Sequence, residues 1–470
     1  MVDTTSDTAR SDTARSDAAT PERLRQWIGE ATGGEVVSFE RGVVRREAYL
    51  ATTRNGVDDV KYFVRVGRPD DVANSPEVAA SEARFVEILG RAGLPVARVV
   101  ATSPDLNAAI YSWVDGVPEV ENAPLESHQI LCEQYVDALA ALHQLDHRAL
   151  GVDWMHEPQT PEACALAHAD AIFDAMGSLA LEPLSTFGIM WLRRHVPANV
   201  ERLSLLHGDA GIGNFLFVGD RMTGVIDWEW AHLGDPMEDL GSMCMHAGFH
   251  PAGNISELLA HYEQVSGIAV DVTKVKYYCA HLYIRSVIAL AAITEHLDPH
   301  NPVALNLAYR ILNDRLTCEA IADAMGVTLE RPAFPDVATG PTSLYDVVAA
   351  NLRTEVLPAV TGDFARNRAE MAAVLTETLE RLHRIGPAVA AIECAELAEL
   401  LGMSVTDMRA GLRTLDALLR NESEVSEVSE VSEVSELAVL RYLYRRAVRT
   451  EELYAPVVRL FPAMCIRPID

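Results

Sequence analysis

Apolar residues recur along this chain with two periods, and the change from one to the other divides it. Residues 1–20 carry neither, containing instead a tandem SDTAR repeat with nothing to pack, as in a disordered leader. Leu24, Trp27 and Ile28 then stand at helical spacing before Gly33 and Gly34. Alternating runs follow at 36–39, 48–52 and 62–66, with turn signals at Arg41–Gly42 and Asn55–Gly56, which predicts a three-strand meander. Residues 76–93 return to helical spacing through Val78, Phe85, Ile88 and Leu89, with Glu82 near the middle. Two further strand runs, 96–101 and 108–114, lead to a turn at Asp115–Gly116.

Beyond Pro124 the pattern is helical: 128–145, 163–176, 184–195, 255–265, 272–297 and 302–325 each keep an apolar face. Strands interrupt only at 215–218 and 222–226. A proline-rich stretch without periodicity, 330–341, predicts a linker. Helical spacing then resumes through Met371, Val374, Leu375, Leu379, Leu382 and Ile385, as in a separate bundle. Within it, residues 422–436 repeat Glu, Ser and Val every three positions, a period that drifts around a helix and predicts an acidic loop. The expected organisation is a leader (1–20), a sheet-rich lobe (21–116), a helical lobe (117–329), a linker (330–341) and a helical bundle (342–470).

Charge narrows the partners. The sequence has 39 Lys and Arg against 68 Asp and Glu, a net charge of −29, which repels nucleic-acid backbones and anionic membranes. The seven cysteines are scattered without a C-x-x-C pair, so neither a disulfide framework nor a zinc site is indicated. No signal-peptide pattern opens the sequence and no apolar run approaches a membrane span; the expected location is the cytoplasm.

Chemistry concentrates in residues 206–240, LHGDAGIGNFLFVGDRMTGVIDWEWAHLGDPMEDL. His207, Asp209 and Asn214 have the H-x-D-x-x-x-x-N spacing of a phosphoryl-transfer loop, and Asp227 follows a short hairpin where a second metal-binding acid is needed. Such transfer asks for a carboxylate to position the acceptor hydroxyl, oxygen ligands for Mg²⁺ and cations over the phosphates. Asp209 fits the first role, and Asn214 and Asp227 the second; Glu229 is a further metal-ligand candidate. His207 and Asp239 are expected to brace the loop, and Asp235, before Pro236, to cap a helix.

The segment LLHGDAGIGNFLFVGDRMTGVIDWEWAHLGDPMEDLG resembles the catalytic segment of the aminoglycoside phosphotransferase or choline-kinase-like superfamily. FVRV (63–66), SEARFVEIL (81–89), YSWVDG (111–116) and ALAALHQLD (138–146) extend the likeness. It implies an α+β, protein-kinase-like bilobal fold, here followed by an all-α C-terminal bundle. It also implies Asp209 as the catalytic aspartate, Asn214 and Asp227 as magnesium ligands, and ATP or GTP as co-substrate. Arg65 falls where relatives place a phosphate-gripping lysine, with Glu82 as its helix partner and Lys61 in reserve. Ser112 and Val114 fall in the expected purine-binding hinge. Where relatives carry a glycine-rich loop, this chain has ERGVVRREAY, with Gly42 alone and Arg41, Arg45 and Arg46 as substitute charge.

The DWE of 227–229 followed by GDP-x-x-DL is most similar to a branch tied to acyl-CoA metabolism, which includes kinases of hydroxyacyl-CoA thioesters. The bundle resembles a small helical domain that bacteria encode beside such kinases, and otherwise reads as a stabilising or homodimer-forming appendage. Arg193, Arg194, Lys274, Lys276 and Arg285 are candidates for binding CoA phosphates. An antibiotic or nucleoside acceptor is the alternative substrate class, and a nucleotide-binding pseudokinase the alternative of a different kind.

Overall fold

The computed structural model describes residues 20–41, 48–67, 78–166, 182–295, 297–298, 301–424 and 435–469. The expected leader, Gly42 with Arg45 and Arg46, and most of the acidic repeat lie outside them. The described chain forms two compact units, one of residues 1–157, 202–239 and 250–269, the other of 158–201, 240–249 and 270–470.

In the first unit, β1 (Glu35–Arg41), β2 (Ala48–Asn55) and β3 (Asp58–Val66) form the expected antiparallel meander. Asn55 pairs with Asp58 across a two-residue turn whose Gly56 has φ 69°, the conformation a tight hairpin requires. β4 (Val99–Ser103) and β5 (Ala108–Ser112) complete a sheet of order β1-β2-β3-β5-β4, which puts β5 against β3 and β4 at the edge.

Strand alternation divides the sheet's two faces between helices. Val64 and Val66 face a core with Tyr49, Ala51, Ala108 and Ile110, closed by Leu24 and Ile28 of α1 (Pro21–Thr32). The residue between them, Arg65, therefore points to the other face. There it meets α2 (Val78–Arg91), the helix expected between the third and fourth strands. α1 is capped at its start by the Thr20 side chain and ends on Gly33 in the left-handed conformation.

The rest of the first unit carries the segment singled out above. α3 (Leu125–Gln144) packs against β6 (Ser204–Leu206), which pairs with β9 (His232–Gly234). β7 (Phe215–Val218) and β8 (Arg221–Val225) form the expected hairpin, whose Val225 N–H donates to the Pro95 carbonyl (2.7 Å) in the loop before β4. α5 (Met237–His246) starts after Asp235, whose carboxylate accepts Met237 N–H (3.0 Å) as a cap.

The second unit is helical. α4 (Pro183–Arg194), α7 (Val272–Glu295) and α8 (Val303–Met325) pack together with helices from beyond residue 342, among them α10 (Asp363–Arg384), α11 (Gly386–Leu401), α12 (Met408–Glu424) and α13 (Glu436–Leu453). Buried arginines join its elements: Arg315 reaches Glu319 (2.8 Å), Glu451 and the Met464 carbonyl (2.8 Å), and Arg449 reaches Glu396 (2.5 and 2.9 Å). No helix among the described residues is long and apolar enough to cross a membrane.

Candidate active site

The loop that leaves β6 is held from below by buried polar groups. The Asp239 carboxylate accepts His207 N–H (2.7 Å) and Gly208 N–H (2.9 Å) from the loop, and His143 Nε2 (3.0 Å) from α3. A carboxylate only accepts, so Nε2 carries the proton; in the neutral ring, Nδ1 then accepts the Tyr262 hydroxyl (2.7 Å). Burial alone would raise the Asp239 pKa, but the hydrogen bonds from the His143 ring and the His207 main chain counter it and hold it below the usual range.

His207 is fixed by the same logic. Its Nε2 donates to the Ile226 carbonyl (2.9 Å), which leaves Nδ1 to accept Asp209 N–H (3.3 Å). Both ring nitrogens are thus engaged in positioning the loop. Gly208 between them has φ 79°, and a Cβ there would lie 2.0 Å from the Trp230 carbonyl oxygen. Only glycine fits, for conformation and for space.

Above this support the three expected functional residues come together. The Asn214 amide donates to the Asp209 carbonyl (2.7 Å) and to its carboxylate Oδ2 (3.2 Å). The Asn214 carbonyl in turn accepts Ile226 N–H (2.9 Å), the residue before Asp227. Two segments twelve residues apart are thereby stitched side by side. Asp227 has φ 68°, a conformation that is uncommon outside glycine and clusters at functional sites. The short helical turn Trp228–Trp230 follows, with the buried Trp228 ring between His207 (4.6 Å) and Phe85 of α2 (5.8 Å), its indole N–H on the Val225 carbonyl (3.1 Å).

Arg65 meets the loop from the sheet side. Its guanidinium binds Glu82 of α2 (2.8 Å) through one terminal nitrogen and Glu229 through the other, with Asp227 at 3.5 Å. The Glu82 and Glu229 side chains are 6% and 3% exposed, whereas that of Asp227 is 41% exposed. One arginine against three carboxylates leaves surplus negative charge beside an accessible oxygen, which suits a divalent cation. The donor set fits Mg²⁺: an amide and a carboxylate from the protein leave positions for phosphate oxygens and water. Among the described residues no group of three His, Cys, Asp or Glu side chains forms a metal cluster of its own. Lys61, exposed on the same strand face, lies over the Trp113 ring at 5.7 Å and is not part of the Arg65 cluster.

The two hinge positions differ. Ser112 donates its N–H to the Arg98 carbonyl (2.8 Å) and accepts Arg98 N–H on its hydroxyl (2.9 Å), so it has no main-chain donor to offer. The main-chain groups of Val114 have no hydrogen-bond partner among the described residues. Of the basic candidates in the second unit, Lys274 and Arg285 are buried, Lys276 is paired with Asp323 (3.0 Å), and Arg193 and Arg194 are exposed.

Sequence reasoning did not reach His143 and Tyr262. His143 lies among the apolar residues of ALAALHQ, and a histidine in the last turn of a helix carries no local sign of its distant carboxylate.

Residues 35–273, just over half of the 470, match the phosphotransferase enzyme family, APH. The chain is 25% identical to the acyl-CoA dehydrogenase IBR3 of Arabidopsis thaliana over 278 residues, 51% of this chain and 33% of that protein. It is 26% identical to acyl-CoA dehydrogenase family member 11 of Gallus gallus over 182 residues, 32% of this chain and 22% of that one. The chain thus spans a third or less of the length of these curated relatives. A solved aminoglycoside phosphotransferase-like structure from Ralstonia eutropha JMP134 is 20% identical, with a TM-score of 0.52 over 66% of this chain and 99% of its own, a likeness of fold. With the HGD loop, the paired segments at Asn214 and Asp227 and the five-stranded sheet all inside the matched region, the chain belongs to the APH phosphotransferase enzyme family.

Proposed function

We propose that this phosphotransferase is a small-molecule kinase that transfers the γ-phosphoryl group of ATP or GTP to an acceptor hydroxyl, with Asp209 as the catalytic carboxylate. The observation that carries this reading is that the Asn214 side chain binds Asp209 while its main-chain carbonyl holds Ile226, the residue before Asp227. Asp209 would take the proton of the acceptor hydroxyl as its oxygen bonds to the γ-phosphorus and the bond to the β–γ bridging oxygen breaks, releasing the nucleoside diphosphate. Asn214 and Asp227 would hold Mg²⁺, which when bound neutralises charge on the β- and γ-phosphates. Arg65 would grip the nucleotide phosphates, its planar fork replacing a lysine's point charge. The main chain of Val114 would contact the purine.

For the acceptor we favour the hydroxyl of a hydroxyacyl-CoA. The support is the kinship with acyl-CoA dehydrogenase-family proteins. A nucleotide-binding protein without turnover is the second reading, favoured by an Arg65 already held by carboxylates.

The test is nucleotide consumption with Mg²⁺ against hydroxyacyl-CoAs, aminoglycosides and nucleosides. Turnover should appear with hydroxyacyl-CoA and fall at least ~10²-fold in Asp209→Ala, the usual scale for a lost proton-transfer group. Nucleotide binding without transfer to any acceptor would favour the second reading, and undiminished turnover in Asp209→Ala would move the catalytic residue elsewhere.

A further inference from the structure

Glu229 stands two residues after Asp227, where the sequence offers it as a metal ligand, yet the two carboxylates are placed differently. The Asp227 side chain is 41% exposed and lies 3.5 Å from Arg65, whereas that of Glu229 is 3% exposed and directly engaged with Arg65 Nη2. The opposite terminal nitrogen of the same guanidinium holds Glu82 at 2.8 Å. We infer that Glu229 is a positioning residue for Arg65: Glu82 and Glu229 clamp the two ends of the guanidinium, and metal binding falls to Asp227 with Asn214.

The chemistry explains why an arginine needs the second carboxylate. A lysine ammonium is a point charge that one glutamate can orient, whereas a guanidinium is a planar fork whose edges must both be fixed before its direction is set. Arg65 stands on the central strand between β2 and β5, so its Cα is rigid and only the long side chain needs holding. Glu229 supplies that second contact from a turn anchored by the buried Trp228, which also packs on Phe85, one turn along α2 from Glu82. Both halves of the clamp therefore share one hydrophobic anchor.

This inference rests on the nucleotide-binding reading above, so its test reads binding directly and needs no acceptor. A fluorescent ATP analogue is titrated against wild type, Glu229→Gln, Arg65→Lys and the double variant, first at saturating Mg²⁺ and then across Mg²⁺ concentrations, with a melting curve for each. Glu229→Gln should weaken nucleotide binding ~10-fold, the scale of a lost charge-assisted hydrogen bond, and leave the Mg²⁺ concentration for half-maximal binding unchanged. With a lysine at 65 the second carboxylate loses its task, so Glu229→Gln should add less than ~2-fold in the double variant. The same Mg²⁺ shift in both backgrounds, with affinity restored at high Mg²⁺, would make Glu229 a metal ligand and overturn the inference. Equal ~10-fold losses in both backgrounds would also overturn it. Absence of nucleotide binding by the folded wild type would instead remove the reading on which it stands. Should Glu229→Gln not fold, Arg65→Lys and the double variant carry the comparison.

Discussion

Arg65 in the first unit and Arg315 in the second are both largely buried arginines on paired carboxylates, yet their surroundings differ in a telling way. Arg315 spends its donors on Glu319, Glu451 and the Met464 carbonyl, and neither carboxylate is more than a quarter exposed. Arg449 is similar, with Glu396 shared between it and Arg445. These contacts are closed: none of the carboxylates Glu319, Glu451 and Glu396 is more than a quarter exposed. At Arg65 three carboxylates meet one guanidinium, and one of them, Asp227, stays open to solvent. A carboxylate open to solvent beside a buried guanidinium is therefore what distinguishes a site from structural cement.

The largest effect expected from this contrast is at Asp239. In Asp239→Asn one carboxylate oxygen is replaced by an amide NH2, so a donor must face either Gly208 N–H or the His207 and His143 donors. A buried donor left without an acceptor, together with the lost charge, should cost about 3 kcal/mol by denaturant unfolding. Turnover per folded molecule should fall at least ~10-fold as well, because the same bonds set the Asp209 loop. A loss of stability with full turnover would mean that the support below the loop is packing alone.

Much of the first unit is legible in the sequence because its signals are local. Alternation in 48–52 and 62–66 with the Asn55–Gly56 turn marks β2 and β3, and the same alternation puts Arg65 opposite Val64 and Val66. Helical spacing around Glu82 marks α2. β6 and β9 leave no trace, since three-residue strands with hardly an exposed position have no alternation to read. The partner of Glu229 lies 164 positions away and that of His143 lies 96 away, separations that no periodicity spans. Ser112 likewise reads as a hinge residue until the β4–β5 pairing takes up its N–H.

A middle-sized effect should separate the two classes of arginine from the other side. Glu396→Ala strips the carboxylate from Arg449, whose side chain is 3% exposed, while Arg445 can turn to water. The uncompensated buried guanidinium should cost about 2–3 kcal/mol. Turnover and nucleotide affinity per folded molecule should stay within ~2-fold of wild type. A specific loss of activity at full occupancy of the folded state would give the Arg449 cluster a functional part and erase the distinction drawn from Arg65.

The smallest effect sharpens the comparison through pH. His232 of β9 donates from Nδ1 to the Trp230 carbonyl (2.8 Å) and from Nε2 to Glu238 (3.2 Å); both partners accept, so the ring is doubly protonated. Burial alone would lower its pKa, but the Glu238 charge and hydrogen bond outweigh this and raise it above 6.5. A raised folded pKa stabilises below the unfolded value and is lost as pH rises through the folded one. Glu238→Gln should therefore be destabilised by about 1 kcal/mol below pH 6.5, with the deficit shrinking as pH climbs past the raised value. Arginine does not titrate in this range, so the Glu396→Ala deficit should stay flat from about pH 5.5 to 8.5. Unfolding curves across that range decide the matter: a flat Glu238→Gln deficit would show that His232 is held neutral.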